Sequence, residues 1–180
     1  MTEPVDNTGD AGLIVGSSRR SPAPVGVTIK TIIERGNAYE LPDIYNLDMT
    51  VLEVVRGARV IQRFGEAGLS ADSCDPGFEC VMARVKAGYF RKRRGPGGEA
   101  YRLEEGQFAA VSPDTGTEYE FPALPPGLQQ LYGVFSPGES HEGWVFLQVP
   151  EDEKAPLLIF KRPNAGGVHE VWGHLWFRLY

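Results

Sequence analysis

Two cysteines, Cys74 and Cys80, and three histidines, His141, His169 and His174, set the chemistry this chain could attempt. The cysteines frame the stretch CDPGFEC, with Pro76-Gly77 between them. A turn there would double the chain back and bring the two sulfurs within disulfide range, which suits an oxidising compartment. The equal alternative is two separate thiols, Cys80 on a strand and Cys74 in the loop before it. Their spacing is not the two-residue gap of a redox or zinc pair, and two cysteines alone do not complete a metal site. His169 and His174 are five residues apart, so on one strand they would face opposite ways and share no metal. Ser140-His141-Glu142 has the residue types of a hydrolytic set. Adjacent strand residues do not converge on one substrate, however, and no Gly-x-Ser-x-Gly elbow occurs. The expectation is no catalytic set, no metal and no cofactor.

The remaining polar candidates fare similarly. Asp72 and Asp75 share a loop and could contribute to a calcium site, but no alternating-oxygen pattern with a central Gly surrounds them. Solvating loop charge is the better reading. Gly95-Pro96-Gly97-Gly98 lacks the Lys and the strand-to-helix setting of a phosphate loop.

Two clusters could bind rather than catalyse. Arg91-Lys92-Arg93-Arg94 could touch an anionic partner such as a teichoic acid, a lipid headgroup or a polysaccharide, although a solvated hairpin tip is the better reading. The C-terminal VWGHLWFRLY alternates. Val171, Leu175, Phe177 and Leu179 form a core face, and Trp172, His174, Trp176, Arg178 and Tyr180 form an aromatic, amphipathic one. Such a stripe could stack on sugar rings or anchor a partner protein, or it could be covered on both sides. With 18 Lys+Arg against 24 Asp+Glu, a net charge of −6, nucleic acid is not an expected partner.

The elements that must carry these residues read as strands. In Phe78–Tyr89 the residues Val81, Ala83, Val85, Ala87 and Tyr89 alternate with Arg84 and Lys86, as in a half-buried strand with one wet face. Leu47–Val55 alternates and then becomes a nearly continuous apolar run. Val25–Ile33, Phe108–Val111, Trp144–Val149, Leu157–Phe160 and Leu175–Tyr180 complete the set. Turns at Ser112–Gly116 and Ser136–Glu139 join strand signals, and Pro150 closes one. No stretch reads as a convincing amphipathic helix, and one at Pro125–Tyr132 could run only one or two turns. Residues 1–24, rich in Gly, Ser, Pro, Thr and Asp, read as a flexible leader before a domain at 25–180. No apolar run approaches the ~20 residues of a membrane helix.

Several of these stretches, in this order, resemble a known family. They are Arg19–Val25, Leu47–Val55 with Arg56-Gly57, Phe78–Val85, Phe108 ahead of Asp114–Gly116, then Ser136–Glu139, Gly143, Trp144–Phe146 and Val149-Pro150. The family is the immunoglobulin-like domain of unknown function found in bacterial secreted proteins and lipoproteins. A telomere-repeat-binding label sometimes attached to it is set aside. The resemblance implies an immunoglobulin-like antiparallel β-sandwich of about seven to nine strands, displayed outside the cytoplasm, and it brings no catalytic residues. No secretory signal is visible. The expected setting is nevertheless extracytoplasmic, secreted or lipid-anchored, with the export signal outside this sequence. The expected function is a non-enzymatic binding or adhesion module at a bacterial cell surface, with an unknown protein or polysaccharide partner and an undetermined oligomeric state. The alternatives are a carbohydrate-binding module using the C-terminal aromatic face, and a structural spacer or self-assembling surface subunit.

Overall fold

The computed structural model describes residues 14–35, 43–92, 98–122, 127–162 and 173–180. Its elements are β1 (Thr28–Arg35), β2 (Asp43–Arg56), α1 (Ala58–Phe64), β3 (Phe78–Arg91), β4 (Tyr101–Leu103), β5 (Phe108–Val111), β6 (Gly133–Phe135), β7 (Ser140–Pro150), β8 (Leu157–Phe160) and β9 (Leu175–Arg178). One antiparallel sheet runs β1-β2-β3-β7, a second runs β5-β8-β9, and β4 pairs with β6. The fold is an all-β sandwich.

Period-two alternation explains the layering. Tyr45, Leu47, Met49 and Val51 of β2 and Val81 through Tyr89 at alternate positions of β3 point inward. They meet Phe108 and Ala110 of β5, Leu158 and Phe160 of β8, and Leu175 and Phe177 of β9 across the main core. The long apolar run in β2 has a local cause. The β2–β3 register shifts between Val51 and Glu53, so parity reverses there. Val55 consequently joins a second cluster on the outer side of the sheet, with Met82, Phe146, Val60 and Phe64.

Helix α1 caps that second cluster. Its buried residues, Val60 and Phe64, are one turn apart, and Phe64 meets Trp144 edge-on at 4.8 Å. The sequence reading missed this helix because seven residues with two buried positions leave almost no periodic trace. The short helix that the sequence left open at Pro125–Tyr132 is not present in 127–132. Pro125 and Pro126 lie outside the described residues, and 127–132 is a turn and a bend that sets Gln130 parallel against Trp144. Leu128 enters the outer cluster while Leu131 enters the main core, so the segment wraps the β7 edge and serves both sides, which one turn of helix cannot do.

The leader boundary is also corrected. Residues 1–13 lie outside the described part, but 14–24 belong to the folded body. Ala23 is fully buried and forms a parallel bridge to Phe177. Its N–H donates to the Trp176 carbonyl at 2.8 Å, and the Arg178 N–H donates to the Ala23 carbonyl at 2.9 Å. Composition marked this stretch as a tether, yet the unpaired edge of β9 offers its backbone a ladder.

Candidate functional site

The structure joins Cys74 to Cys80 in a disulfide, with Cα atoms 5.7 Å apart. Both residues are buried in the outer cluster beneath α1. The bridge therefore anchors the α1–β3 connection against β3 itself. Asp75 is fixed beside it. Its N–H donates to Gln148 Oε1 at 2.9 Å, and its carboxylate accepts from Gln148 Nε2 at 2.6 Å. Gln148 is itself buried on β7, so the exposed Asp75 satisfies a buried amide from the surface. Among the described residues, no group of three or more His, Cys, Asp or Glu side chains could hold a metal ion.

Ser140, His141 and Glu142 separate as strand neighbours must. His141 stacks on the Phe135 ring at 4.0 Å and lies 3.8 Å from Glu139. Glu142 pairs with Arg84 on the outer side, at 3.3 Å. Three groups split between the two faces of β7 cannot act on one bond.

The C-terminal stripe is partly assembled in the described region. Trp172 lies outside it, as does His169. Trp176 is half-buried, covering Ala109, Val111, Leu157 and Ile159 on the outer face of the second sheet. The Arg178 guanidinium sits 5.7 Å from the centre of the Tyr180 ring, and Tyr180 is 55% exposed. His174 is exposed. The alternation read from sequence is present, with Leu175, Phe177 and Leu179 buried, but much of the Trp176 ring is committed to covering apolar neighbours.

The basic run divides as well. Arg93 and Arg94 lie outside the described residues. Arg91 is a structural cation that donates to Asp43 Oδ2 at 2.8 Å. Lys92 is exposed, its backbone N–H held by the Ile44 carbonyl at 2.9 Å.

Reading from sequence missed the other half of the first sheet's outer face. The outer cluster covers the half nearest α1, and charge networks fill the boundary. Glu53 pairs with Arg63 and Arg84, and Arg63 stacks 4.9 Å above the Trp144 ring. The Arg63 hydrogen bond, helped by the nearby guanidinium charges, holds the Glu53 carboxyl below its usual range. Beyond this border the described residues leave the sheet bare. Its cross-strand rows read Lys30, Asp48, Gly88, Ser140 and, beside it, Ile32, Asn46, Phe90. Phe90 is 37% exposed. Its ring folds back over Gly88, where a Cβ would lie 2.7 Å from Phe90 Cε2. An open hollow of about 370 Å³ shares Ile32 and Asn46 with the Phe90 row and is lined also by Lys30, Thr31 and Lys92. A signal existed in the sequence, since alternation through Tyr89 puts the large aromatic Phe90 on the wet face.

No family model matches the chain, and no curated protein matches it either. The resemblance drawn from strand and turn punctuation therefore has no matching model behind it. A solved structure that aligns with it is YcdA of Bacillus subtilis, which carries a provisional designation as a lipoprotein. The two share 12% identity over 73% of this chain with a TM-score of 0.49, and the chain spans only 35% of that structure's length. A likeness this loose carries no functional information.

Proposed function

We propose that the chain is a non-enzymatic binding module working outside the reducing cytosol, at a bacterial surface, with its ligand seated on the bare half of the first sheet. The disulfide carries this reading. Cys74 and Cys80 close a small loop inside a packed cluster, and bridges of this structural kind persist where the surroundings are oxidising. A binder is favoured over an enzyme because Ser140, His141 and Glu142 point to different faces. The bare sheet offers an aromatic ring, an amide and ammonium groups on one surface, as ligand sites do.

The C-terminal stripe supports a second reading, a carbohydrate-binding face, through the exposed Tyr180 with Arg178 above its ring.

Fractionating cells of the source organism and trapping thiols before lysis tests the first reading. The expected result is recovery outside the cytosol with no alkylated cysteine. Recovery in the cytosol with both thiols labelled would overturn it.

A further inference from the structure

We infer that the bare half of the β1-β2-β3-β7 sheet binds an acidic polysaccharide, stacking one carboxylated sugar ring on Phe90 and pairing its carboxylate with Lys30 and Lys92. This rests on the proposed reading of the chain as a binding module and names its ligand class.

The geometry begins at Gly88. An aromatic side chain on the wet face of a strand ordinarily stands off the sheet, but here Phe90 folds back over its neighbour two residues away. The missing Cβ permits this, since one at residue 88 would sit 2.7 and 2.9 Å from two ring carbons. A ring laid down this way has its position fixed by the sheet and still keeps 37% of its surface in water. That suits the C–H face of a sugar, which binds an electron-rich aromatic surface.

The neighbours supply the polar half. Asn46 lies in register between Ile32 and Phe90. Its amide both donates and accepts, matching sugar hydroxyls. Lys30 and Lys92 line the hollow of about 370 Å³, and among the described residues no carboxylate does. Lys30 is only loosely engaged, 3.5 Å from Asp48 with its side chain 77% exposed. An exposed pair of this kind is worth little and leaves the ammonium ready for a ligand carboxylate.

The aromatic ring then narrows the ligand. A polyphosphate or poly(glycerol phosphate) chain brings charge to the lysines but no flat C–H face to lay on Phe90. A sugar with one carboxylate per ring places its charge against the two lysines and its apolar face on the aromatic ring.

The test is calorimetric titration of the oxidised protein with oligogalacturonate, with a neutral glucan oligosaccharide and poly(glycerol phosphate) in parallel. The expected result is saturable binding of oligogalacturonate alone, weakened by raising salt. Phe90→Ala should weaken it about tenfold. Lys30→Gln and Lys92→Gln, surface changes that leave the core intact, should each weaken it several-fold and flatten its salt dependence. Thermal melting of each variant guards against a folding artefact. Preference for either control, unchanged affinity in folded Phe90→Ala and the lysine variants, or no oligogalacturonate binding overturns the inference. Glycan binding lost in Tyr180→Ala and retained in Phe90→Ala would move the site to the C-terminal stripe, leaving the binding-module reading standing. Cytosolic recovery with free thiols is the separate result that removes that reading.

Discussion

The backbone of Gln130 crosses Gly143 so closely that a Cβ on Gly143 would lie 2.5 Å from the Gln130 carbonyl carbon. The crossing seats the 127–132 segment on the β7 edge, where the Trp144 N–H donates to the Gln129 carbonyl at 2.9 Å. Leu128 and Leu131 can then fill the two clusters on either side of the sheet.

Gly143→Ala is therefore expected to cost about 3 kcal/mol, the upper end of ordinary overpacking, because backbone rather than a movable side chain stands in the way. The change also exposes Leu128 and Leu131. Urea denaturation followed by tryptophan fluorescence measures the loss. A midpoint equal to that of the parent protein would mean that the segment does not lie against β7.

Reduction of the disulfide has a different signature. Cys74 and Cys80 are six apart in sequence, and closing so short a loop is worth about 2 kcal/mol through the unfolded chain. Cys74→Ala with Cys80→Ala should lower stability by roughly that amount. Its reporter is Trp144, held by Phe64 at 4.8 Å and by Arg63 at 4.9 Å, so its emission should shift as α1 loosens. Equal unfolding midpoints with and without reductant would exclude a stabilising bridge.

The Phe90–Gly88 relationship predicts non-additivity. Gly88→Ala alone forces the ring up and is expected to destabilise, by about 1 kcal/mol at the low end of overpacking. In a Phe90→Ala background the same change meets no ring, although Ser140 Oγ still lies 3.0 Å from the new Cβ. A double-mutant cycle by thermal melting should give a coupling of at least about 0.5 kcal/mol. Simple additivity would show that the ring does not cover residue 88.

Much of the sandwich was legible because burial on one face writes a period of two into the residues. Phe108–Val111 and Leu157–Phe160 coincide with β5 and β8, and Val81 to Tyr89 gave the inward face of β3 correctly. Strands β4 and β6 were invisible, since three residues cannot establish a period. The 14–24 segment was misread because backbone pairing with β9, unlike side-chain burial, leaves no hydrophobic pattern. The same limit hid the bare sheet. That Phe90 lies down depends on a missing Cβ at residue 88, and a spacing rule does not encode such a close approach.

Alkaline pH should unfold the end of the sandwich closed by β4. Tyr45 and Tyr89 stack at 4.7 Å, and Tyr89 meets Tyr101 at 5.5 Å. The Tyr89 hydroxyl donates to the Glu99 carbonyl at 3.1 Å, and the Tyr45 hydroxyl accepts from the Glu99 N–H at 3.0 Å. Burial, with the neighbouring Tyr45 adding to it, pushes Tyr89 up to about 12, and burial carries Tyr101 well above the ordinary phenol range. A phenol whose pKa is higher folded than unfolded stabilises the fold fully below the unfolded value of about 10. Above it the unfolded chain gains by losing the proton, and the contribution falls away as pH rises through the folded value. Stability should thus be steady to about pH 10 and decline toward pH 12. Tyrosinate absorbance should show a late phase coinciding with loss of the tryptophan signal. Tyr89→Phe keeps the ring and removes the titration, so it should lessen the decline at the cost of the bond to Glu99. Complete tyrosine ionisation in a still-folded protein near pH 10 would contradict the buried stack.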